Sequence, residues 1–253
     1  MSLKYQTEEV QKDNASEENQ HFQRVTPAVP YYSIILIASL VVVAVFQILV
    51  DGRNPVVFGN ESAIIAGFLK PAFLEGQYWR ILTGATLHGG LMHLAFNCYA
   101  LYVLGKLIET LSNRAHLAII FLLSVIGGGI LSLIFLPDGV SVGASGGIVG
   151  FLGYLAVYGY KRRAILTSSF LKNMLFNIGF IAFYGILLRD SIDNFGHLGG
   201  LLTGAIYGFF QISGDVYKDP REIGKATEIG GLIALGTFLA VCGLSILLLL
   251  RGL

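Results

Sequence analysis

Seven long apolar runs recur along the chain, and each is close to the length needed to cross a bilayer. The first run, residues 31–50, holds no charged residue. A helix of that length rises about 1.5 Å per residue and spans the roughly 30 Å hydrocarbon core. Because backbone polar groups must be paired inside the bilayer and the ten-residue alternation of a barrel is missing, the runs predict helices. The other runs cover residues 87–107, 116–136, 144–160, 173–188, 195–212 and 230–250.

The composition also indicates a membrane protein. Of 253 residues, 54% are hydrophobic and 13% are charged, whereas soluble domains carry about 25% charged residues. So small a share cannot cover a water-facing surface of this size. The formal net charge of +1 shows no excess of basic residues that would attract a nucleic acid, so no nucleic-acid partner is expected. The predicted fold class is an all-α polytopic membrane protein whose surroundings are the lipid bilayer.

The sequence gives little support for a metal or a disulfide. Cys98 and Cys242 are the two cysteines, and both lie in apolar runs. Three histidines, His88, His93 and His197, keep a metal site as an alternative, but they lack an HExxH pattern and neighbouring carboxylates. No cofactor and no metal are therefore expected.

The distribution of Lys and Arg predicts the orientation in the membrane. With the N-terminus inside, twelve Lys and Arg residues fall on the inner side and five on the outer side. This bias favours a cytoplasmic N-terminus and, with seven spans, an outer C-terminus. The lack of a recognisable targeting segment favours a bacterial plasma membrane. The predicted organisation is a flexible cytoplasmic tail over residues 1–30, a six-helix core over 31–213, a cytoplasmic connection over 214–229 and a seventh helix over 230–253.

One long connection, residues 51–86, is predicted on the outer side. It contains the single tryptophan, Trp79, next to Arg80. Aromatic residues are enriched where a membrane meets water, so this loop is expected to lie partly in the interface. It serves either as an anchor or as a structural rim around an opening.

Polar residues stand at the N-terminal ends of the second, fourth and sixth predicted helices. Such groups are costly inside a bilayer and mark functional sites. In the predicted topology these three helices run in the same direction, so their N-terminal ends lie on one side of the membrane and can form a single site. The residues concerned are His88, His93 and Asn97 on the second helix, Gly143, Ser145 and Gly146 on the fourth, and His197 on the sixth.

These side chains match the needs of nucleophilic catalysis. A serine hydroxyl such as Ser145 attacks a carbonyl only when a base takes its proton, and His197 is the candidate base. His93 and Asn97 are four residues apart and share one helix face, where both can donate to a developing oxyanion. His88 would lie about 140° around the helix from His93 and is expected to be a supporting group. Each residue taken alone also fits a packing role, because glycines beside a serine let helices approach closely.

The motifs together resemble the rhomboid family of intramembrane serine proteases. The resemblance covers roughly residues 31–213, six helices in the family's order. It implies a rhomboid-like six-helix bundle, and the seventh predicted span resembles the variant with one additional C-terminal helix. The motifs are Gln77-Tyr78-Trp79-Arg80, His88-x4-His93-x3-Asn97, Leu104-Gly105-x3-Glu109, Gly143-x-Ser145-Gly146 and Gly196-His197-x2-Gly200-x3-Gly204.

The resemblance implies a role for each residue. Ser145 would be the nucleophile and His197 the general base, forming a dyad without an acidic third member. His93, Asn97 and the Ser145 backbone N–H would line the oxyanion hole. The substrates would be transmembrane segments of other proteins. The supporting residues would be His88, Gly143, Gly146, Trp79 and Arg80, with Gly200 and Gly204 packing the sixth helix against the fourth.

One position departs from the family pattern. An aromatic residue often stands four positions after the nucleophile and packs on the base, but here that residue is Val149. A catalytically silent rhomboid-like protein that binds membrane clients is therefore the alternative prediction. Such a protein would usually have lost Ser145 or His197, and both are present. A small transporter is a further alternative, although paired broken helices in two repeats are not evident. The sequence does not predict the oligomeric state.

Overall fold

The computed structural model describes residues 29–52 and 60–252, and within them the chain forms seven long helices. The tail predicted for residues 1–30 lies outside the described residues, except for its last two positions. Each long helix overlaps one predicted span, and the all-α polytopic prediction is confirmed. The helices are α1 (Tyr31–Val50), α2 (Leu91–Leu111), α3 (Arg114–Phe135), α4 (Ser145–Lys161), α5 (Ser168–Leu187), α6 (Asn194–Gln211) and α7 (Lys225–Arg251).

Two helices begin away from the positions that hydropathy predicts. α2 begins four residues later than residue 87, because Gly90 adopts a φ of +153° that ends the preceding loop. α7 begins at Lys225, five residues before residue 230. Its first turn is polar, so hydropathy alone does not reveal it.

Five of the described helices are long and apolar enough to cross a membrane, and α4 and α6 are not among them. These two helices are also short, with 17 and 18 residues. α4 is the central helix and packs against α2, α3, α5 and α6. Because it contacts protein more than lipid, α4 can carry glycine and polar residues that a lipid-facing helix cannot.

Glycines bring the backbones of α4 and α6 into direct contact. A Cβ on Gly200 would lie 2.8 Å from the carbonyl carbon of Gly146, and a Cβ on Gly204 would lie 2.8 Å from Cα of Gly150. Small residues permit this approach between membrane helices. The contact between these helices is the one that the glycine pattern predicts.

A buried carboxylate joins α1 to α2 at the opposite end of the bundle from Ser145. Glu109 accepts hydrogen bonds from the Ser33 backbone N–H at 2.8 Å and from the Ser33 hydroxyl at 2.7 Å. The first-turn N–H groups of a helix lack intrahelical partners and favour a negative charge. Glu109 therefore caps α1 from a neighbouring helix.

The seventh helix is an integral part of the bundle. α7 packs against α1 and α3 and also touches the loop between α1 and α2. Gly231 lies against Ala115 at the start of α3, where a Cβ would meet the Ala115 Cβ at 2.5 Å. Near the other end, the hydroxyls of Ser245 and Thr86 are 2.9 Å apart, and both residues are buried.

The loop between α1 and α2 folds into short elements. A two-residue strand within it, β1 (Phe68–Leu69), pairs antiparallel with β2 (Val140–Ser141), just before α4. The sequence does not predict this pair, since two residues are too few to show a period. Its effect is to tie the loop to the segment that leads to Ser145. The helical pieces are Asn60–Ala66, Lys70–Leu74 and Arg80–Thr83, followed by a 3₁₀ turn at Gly84–Thr86.

We expect Gly204→Ala to destabilise the protein, because the new Cβ meets the Gly150 backbone, which cannot move aside as a side chain can. Overpacking of this kind typically costs about 1–3 kcal/mol. Gly179→Ala is the matched control, because nothing lies within 4 Å of a Cβ at that position of α5. Thermal unfolding in detergent should show a lower midpoint for the first variant only. Equal midpoints would contradict the backbone contact.

Candidate active site

Ser145 is the first residue of α4, and a glycine with a positive φ sets its position. Gly143 has a φ of +125°, which side chains rarely tolerate, and its N–H donates to the Gly84 carbonyl at 2.9 Å. The chain turns there and enters the helix through Ala144. Ser145 thus stands at a helix N-terminus, where backbone N–H groups are available to an anion.

His197 reaches Ser145 from the first turn of α6. Its Nε2 lies 2.8 Å from the Ser145 Oγ, a hydrogen-bonding distance. The short spacing of α4 and α6 allows this contact between side chains on two helices. Within the described part of the chain, the other ring nitrogen, Nδ1, is buried without a hydrogen-bond partner.

His93 lies in the first turn of α2 with one edge of its ring toward Gly143. A Cβ on Gly143 would come within 2.9 Å of the His93 Nε2 and 3.7 Å of the Ser145 Oγ, so both atoms border the same small space. The His93 Nδ1 accepts a hydrogen bond from the Gly89 N–H at 3.3 Å. In a neutral imidazole the other nitrogen then carries the proton. His93 is thereby prepared to donate from Nε2.

Asn97 is buried one turn further along α2. Its side-chain Nδ2 donates to the His93 carbonyl at 2.8 Å. An amide nitrogen has two N–H donors, so one of them is used within the helix. The second is available for another acceptor.

His88 lies outside α2, and the prediction that it lies on a helix about 140° from His93 is wrong. The reason is the turn at Gly90, which starts the helix after His88. The His88 ring nevertheless packs edge-on against the His93 ring, with centroids 5.2 Å apart. It contacts His93 from the loop.

Gln47 of α1 holds this loop in place, a role that was not predicted from the sequence. Its side-chain oxygen accepts from the His88 N–H at 3.0 Å, and its amide nitrogen donates to the His88 carbonyl at 3.1 Å. Gln47 is buried. A polar residue in an otherwise apolar span was the available signal.

Arg80 organises the loop between α1 and α2. Its guanidinium donates to the carbonyls of Ile64 at 3.0 Å and Gly67 at 2.9 Å and to the Gln77 side chain at 2.7 Å. The neighbouring Trp79 is exposed. Neither residue touches Ser145 in the described contacts, so both belong to the loop that surrounds the site and not to the site itself.

Gly146 contributes to the approach of α6. A Cβ at this position would lie 3.4 Å from the carbonyl oxygen of Gly196, the residue that directly precedes His197. Gly146 thus lies in van der Waals range of the first turn of α6.

A small cavity adjoins the pair of Ser145 and His197. Its volume is about 60 Å³, and a water molecule needs roughly 10–15 Å³ measured this way. The lining includes Asp193, which was also not predicted as a site residue. Asp193 forms the N-cap of α6, and an acidic residue at that position is a recognisable capping signal.

A second, apolar cavity of about 420 Å³ reaches His197 from the side of α5. Val149 and Leu198 line it with His197. Val149 occupies the position where the family often has an aromatic residue, and the smaller side chain leaves this face of the imidazole beside open space.

The fold and the site together define a polytopic membrane protein with a serine and a histidine in hydrogen-bonding contact between glycine-packed helices. The Rhomboid domain family matches residues 75–214, more than half of the chain. This protein therefore belongs to the rhomboid family and is an integral, multi-pass membrane protein.

Individual relatives agree with this assignment. Rhomboid protease GluP of Bacillus subtilis (strain 168) is 32% identical over 210 residues, covering 81% of this chain and 38% of the relative. RHOMBOID-like protein 2 of Arabidopsis thaliana is 36% identical over 169 residues, covering 62% and 50%. RHOMBOID-like protein 6, mitochondrial, of the same plant is 34% identical over 151 residues, covering 56% and 47%. The chain thus spans half or less of the length of these relatives.

We expect Gly143→Ala to destabilise the protein more than Gly76→Ala. Both glycines have a positive φ, +125° and +106°, so an alanine is strained at either position. Only at Gly143 does the new Cβ also meet the His93 ring, at 2.8 Å. The additional overpacking should cost about 1–3 kcal/mol. Chemical unfolding of both variants measures the difference, and an equal loss would show that the His93 ring moves away freely.

Proposed function

We propose that this protein is a membrane-embedded serine endopeptidase that cleaves transmembrane segments of other membrane proteins. The observation that carries the proposal is the 2.8 Å contact between the Ser145 Oγ and the His197 Nε2. Membership of the rhomboid family supports intramembrane proteolysis as the activity. No cofactor takes part in the proposed chemistry.

The first half of the reaction acylates Ser145. The Ser145 Oγ attacks the scissile carbonyl carbon while its proton passes to the His197 Nε2. When the tetrahedral intermediate collapses, the peptide C–N bond breaks and the imidazolium gives that proton to the leaving amine. The products are a free amine and an acyl-serine.

The second half hydrolyses the acyl-serine. His197 takes a proton from a water molecule as its oxygen attacks the acyl carbon, and the proton then returns to the Ser145 Oγ. The cavity of about 60 Å³ beside the two residues has room for that water. A supply of water next to the dyad is what hydrolysis inside a bilayer requires.

Three donors are suited to stabilise the oxyanion. The His93 Nε2 carries a proton because Nδ1 accepts from Gly89. Asn97 has a second N–H free of its bond to His93, and the Ser145 backbone N–H lies at the start of α4. Donors already in position lower the barrier because they need not reorganise as charge develops.

Substrate entry is proposed from the side of α5. This helix is the least buried of the five apolar helices, and the apolar cavity beside it leads to His197. A transmembrane segment entering here must unwind locally to present a carbonyl, which small or helix-breaking residues make easier. The excess of Lys and Arg in the predicted inner connections supports a site that opens on the outer side, with the N-terminus in the cytoplasm.

The alternative is a catalytically silent protein that binds membrane clients. The feature that favours it is Val149, which leaves one face of the His197 ring without aromatic packing. Both the protease and the client-binding protein need a groove that binds a membrane segment, so a binding measurement does not distinguish them. A measurement of cleavage does.

We expect Ser145→Ala and His197→Ala each to reduce cleavage of a single-span model substrate to background, because either change removes a reacting group. A fluorophosphonate probe should label the wild type at Ser145 and leave Ser145→Ala unlabelled. Ser39→Ala is the control, because the Ser39 hydroxyl donates to the Leu36 carbonyl within α1, a helix that carries neither residue of the dyad. Full cleavage by either dyad variant would overturn the mechanism, and an inactive wild type would favour the alternative.

We expect Asn97→Ala to lower kcat by about 10²–10³, the usual cost of losing one oxyanion donor. Asn177→Ala is the matched control, because its amide also donates to the carbonyl four residues earlier, at 2.7 Å, but Asn177 is exposed and does not line the cavity that leads to His197. Steady-state kinetics on the same substrate measure both. An equal effect on the two variants would assign the loss to the helix and remove Asn97 from the oxyanion hole.

A further inference from the structure

We propose that Asp193 is a positioning residue that holds Ser145 and His197 in register, with Ser141 and Lys70 completing the same polar cluster. The inference rests on the proposed function, because it concerns the geometry of the proposed dyad. The cluster lies at the end of the bundle where α6 begins and β2 leads into α4.

One oxygen of Asp193 fixes the start of α6. Its Oδ1 accepts from the Gly196 N–H at 2.7 Å, and its backbone carbonyl accepts from the His197 N–H at 3.0 Å. A side-chain N-cap satisfies donors that the helix itself cannot pair. Because His197 lies within this first turn, the cap determines where the imidazole stands.

The other oxygen of Asp193 fixes the segment before α4. Its Oδ2 accepts from the Ser141 hydroxyl at 2.6 Å and also from the Ser132 hydroxyl. Ser141 belongs to β2, four residues before Ser145. One carboxylate therefore joins the strand that precedes the nucleophile to the helix that carries the base.

Lys70 makes the cluster electrostatically favourable. It is 1% exposed, its Nζ donates to the Ser141 hydroxyl at 2.9 Å, and it lies 3.9 Å from the Asp193 Oδ2. A buried charge is costly unless it is paired. Burial lowers the pKa of Lys70, and the Asp193 carboxylate opposes that change. Lys70 follows β1 directly, so the cluster also holds the loop between α1 and α2.

Asp193 does not act as the acid of a Ser-His-Asp triad. In a triad the carboxylate bonds to the imidazole Nδ1, whereas among the described residues the His197 Nδ1 has no partner. The influence of Asp193 on the dyad passes instead through the first turn of α6 and through Ser141. A displacement of about 1 Å between reacting groups can cost about 10² in rate, so positioning alone is a sizeable effect.

The test uses three variants. Two are the single substitutions Asp193→Ala and Asp193→Asn, and the third is a double variant that combines Lys70→Met and Asp193→Ala. We expect Asp193→Ala to lower both kcat and the rate of fluorophosphonate labelling by about 10², with KM unchanged. Asp193→Asn keeps an oxygen for the Gly196 N–H but loses the charge, so it should recover part of both rates. The double variant removes the stranded Lys70 charge and should recover thermal stability without recovering kcat.

Asp190→Asn is the control, because that carboxylate is exposed and pairs only with exposed Arg189 in the described structure. Recovery of kcat in the double variant would show that Asp193 merely neutralises Lys70 and would overturn the proposal. Unchanged kcat and labelling in Asp193→Ala would also overturn it. Wild-type cleavage that depends on Ser145, measured in parallel, separates this failure from a failure of the proposed function.

Hydrogen exchange tests the positioning without any catalytic readout. Asp193→Ala should speed exchange in peptides covering residues 139–147 and 193–199 together, since one carboxylate holds both segments. The Asp190→Asn variant should leave both unchanged. Faster exchange in the second peptide alone would reduce Asp193 to an ordinary helix cap and would contradict the proposed coupling.

Discussion

The constraint on which the rest of the structure depends is the direct backbone contact between α4 and α6. With larger residues than Gly200 and Gly204 on this face of α6, the helices would have to separate, and the 2.8 Å contact between Ser145 and His197 would be lost. The site is thus a consequence of helix spacing as much as of the two side chains. Glycine is the residue that allows such spacing between membrane helices.

The glycines that allow this spacing make α4 and α6 less apolar and less stable as helices. The fold tolerates this because of where α4 lies in the bundle. Glycines lower both the apolar character and the intrinsic stability of a helix, and α4 and α6 are the two long helices that fall short of the requirements for a membrane span in the described chain. α4 avoids lipid by lying at the centre, among α2, α3, α5 and α6. Among the five apolar helices, α5 is the least buried and presents most of its surface outward. The low hydropathy of α4 is therefore explained by its central position in the bundle.

Features that a motif or the membrane topology signals could be predicted, and pairings without such a signal could not. Apolar runs predict the seven helices. The contact of Ser145 with His197 joins residues 52 apart, but it could be predicted because both stand in motifs at the starts of helices that run in the same direction. The clamp of Gln47 on the loop at His88 joins residues 41 positions apart, and the Asp193–Ser141 bond joins residues 52 apart. A single sequence does not reveal such partners. The prediction that His88 lies on the second helix was wrong for a local reason: the turn at Gly90 places the start of the helix after His88.

The seventh helix is connected to the site through the same loop that Arg80 and Lys70 hold. Ser245 of α7 contacts Thr86, the last residue of the 3₁₀ turn. The first residue of that turn, Gly84, accepts the N–H of Gly143, which sets the entry of the chain into α4. A continuous path of buried contacts therefore runs from α7 to the start of the helix that carries Ser145. Since these groups are buried and hydrogen-bonded, displacing α7 would leave the Thr86 hydroxyl with one partner fewer and loosen the turn behind Gly143. The helix beyond the six-helix core thus supports the loop on which the site is built.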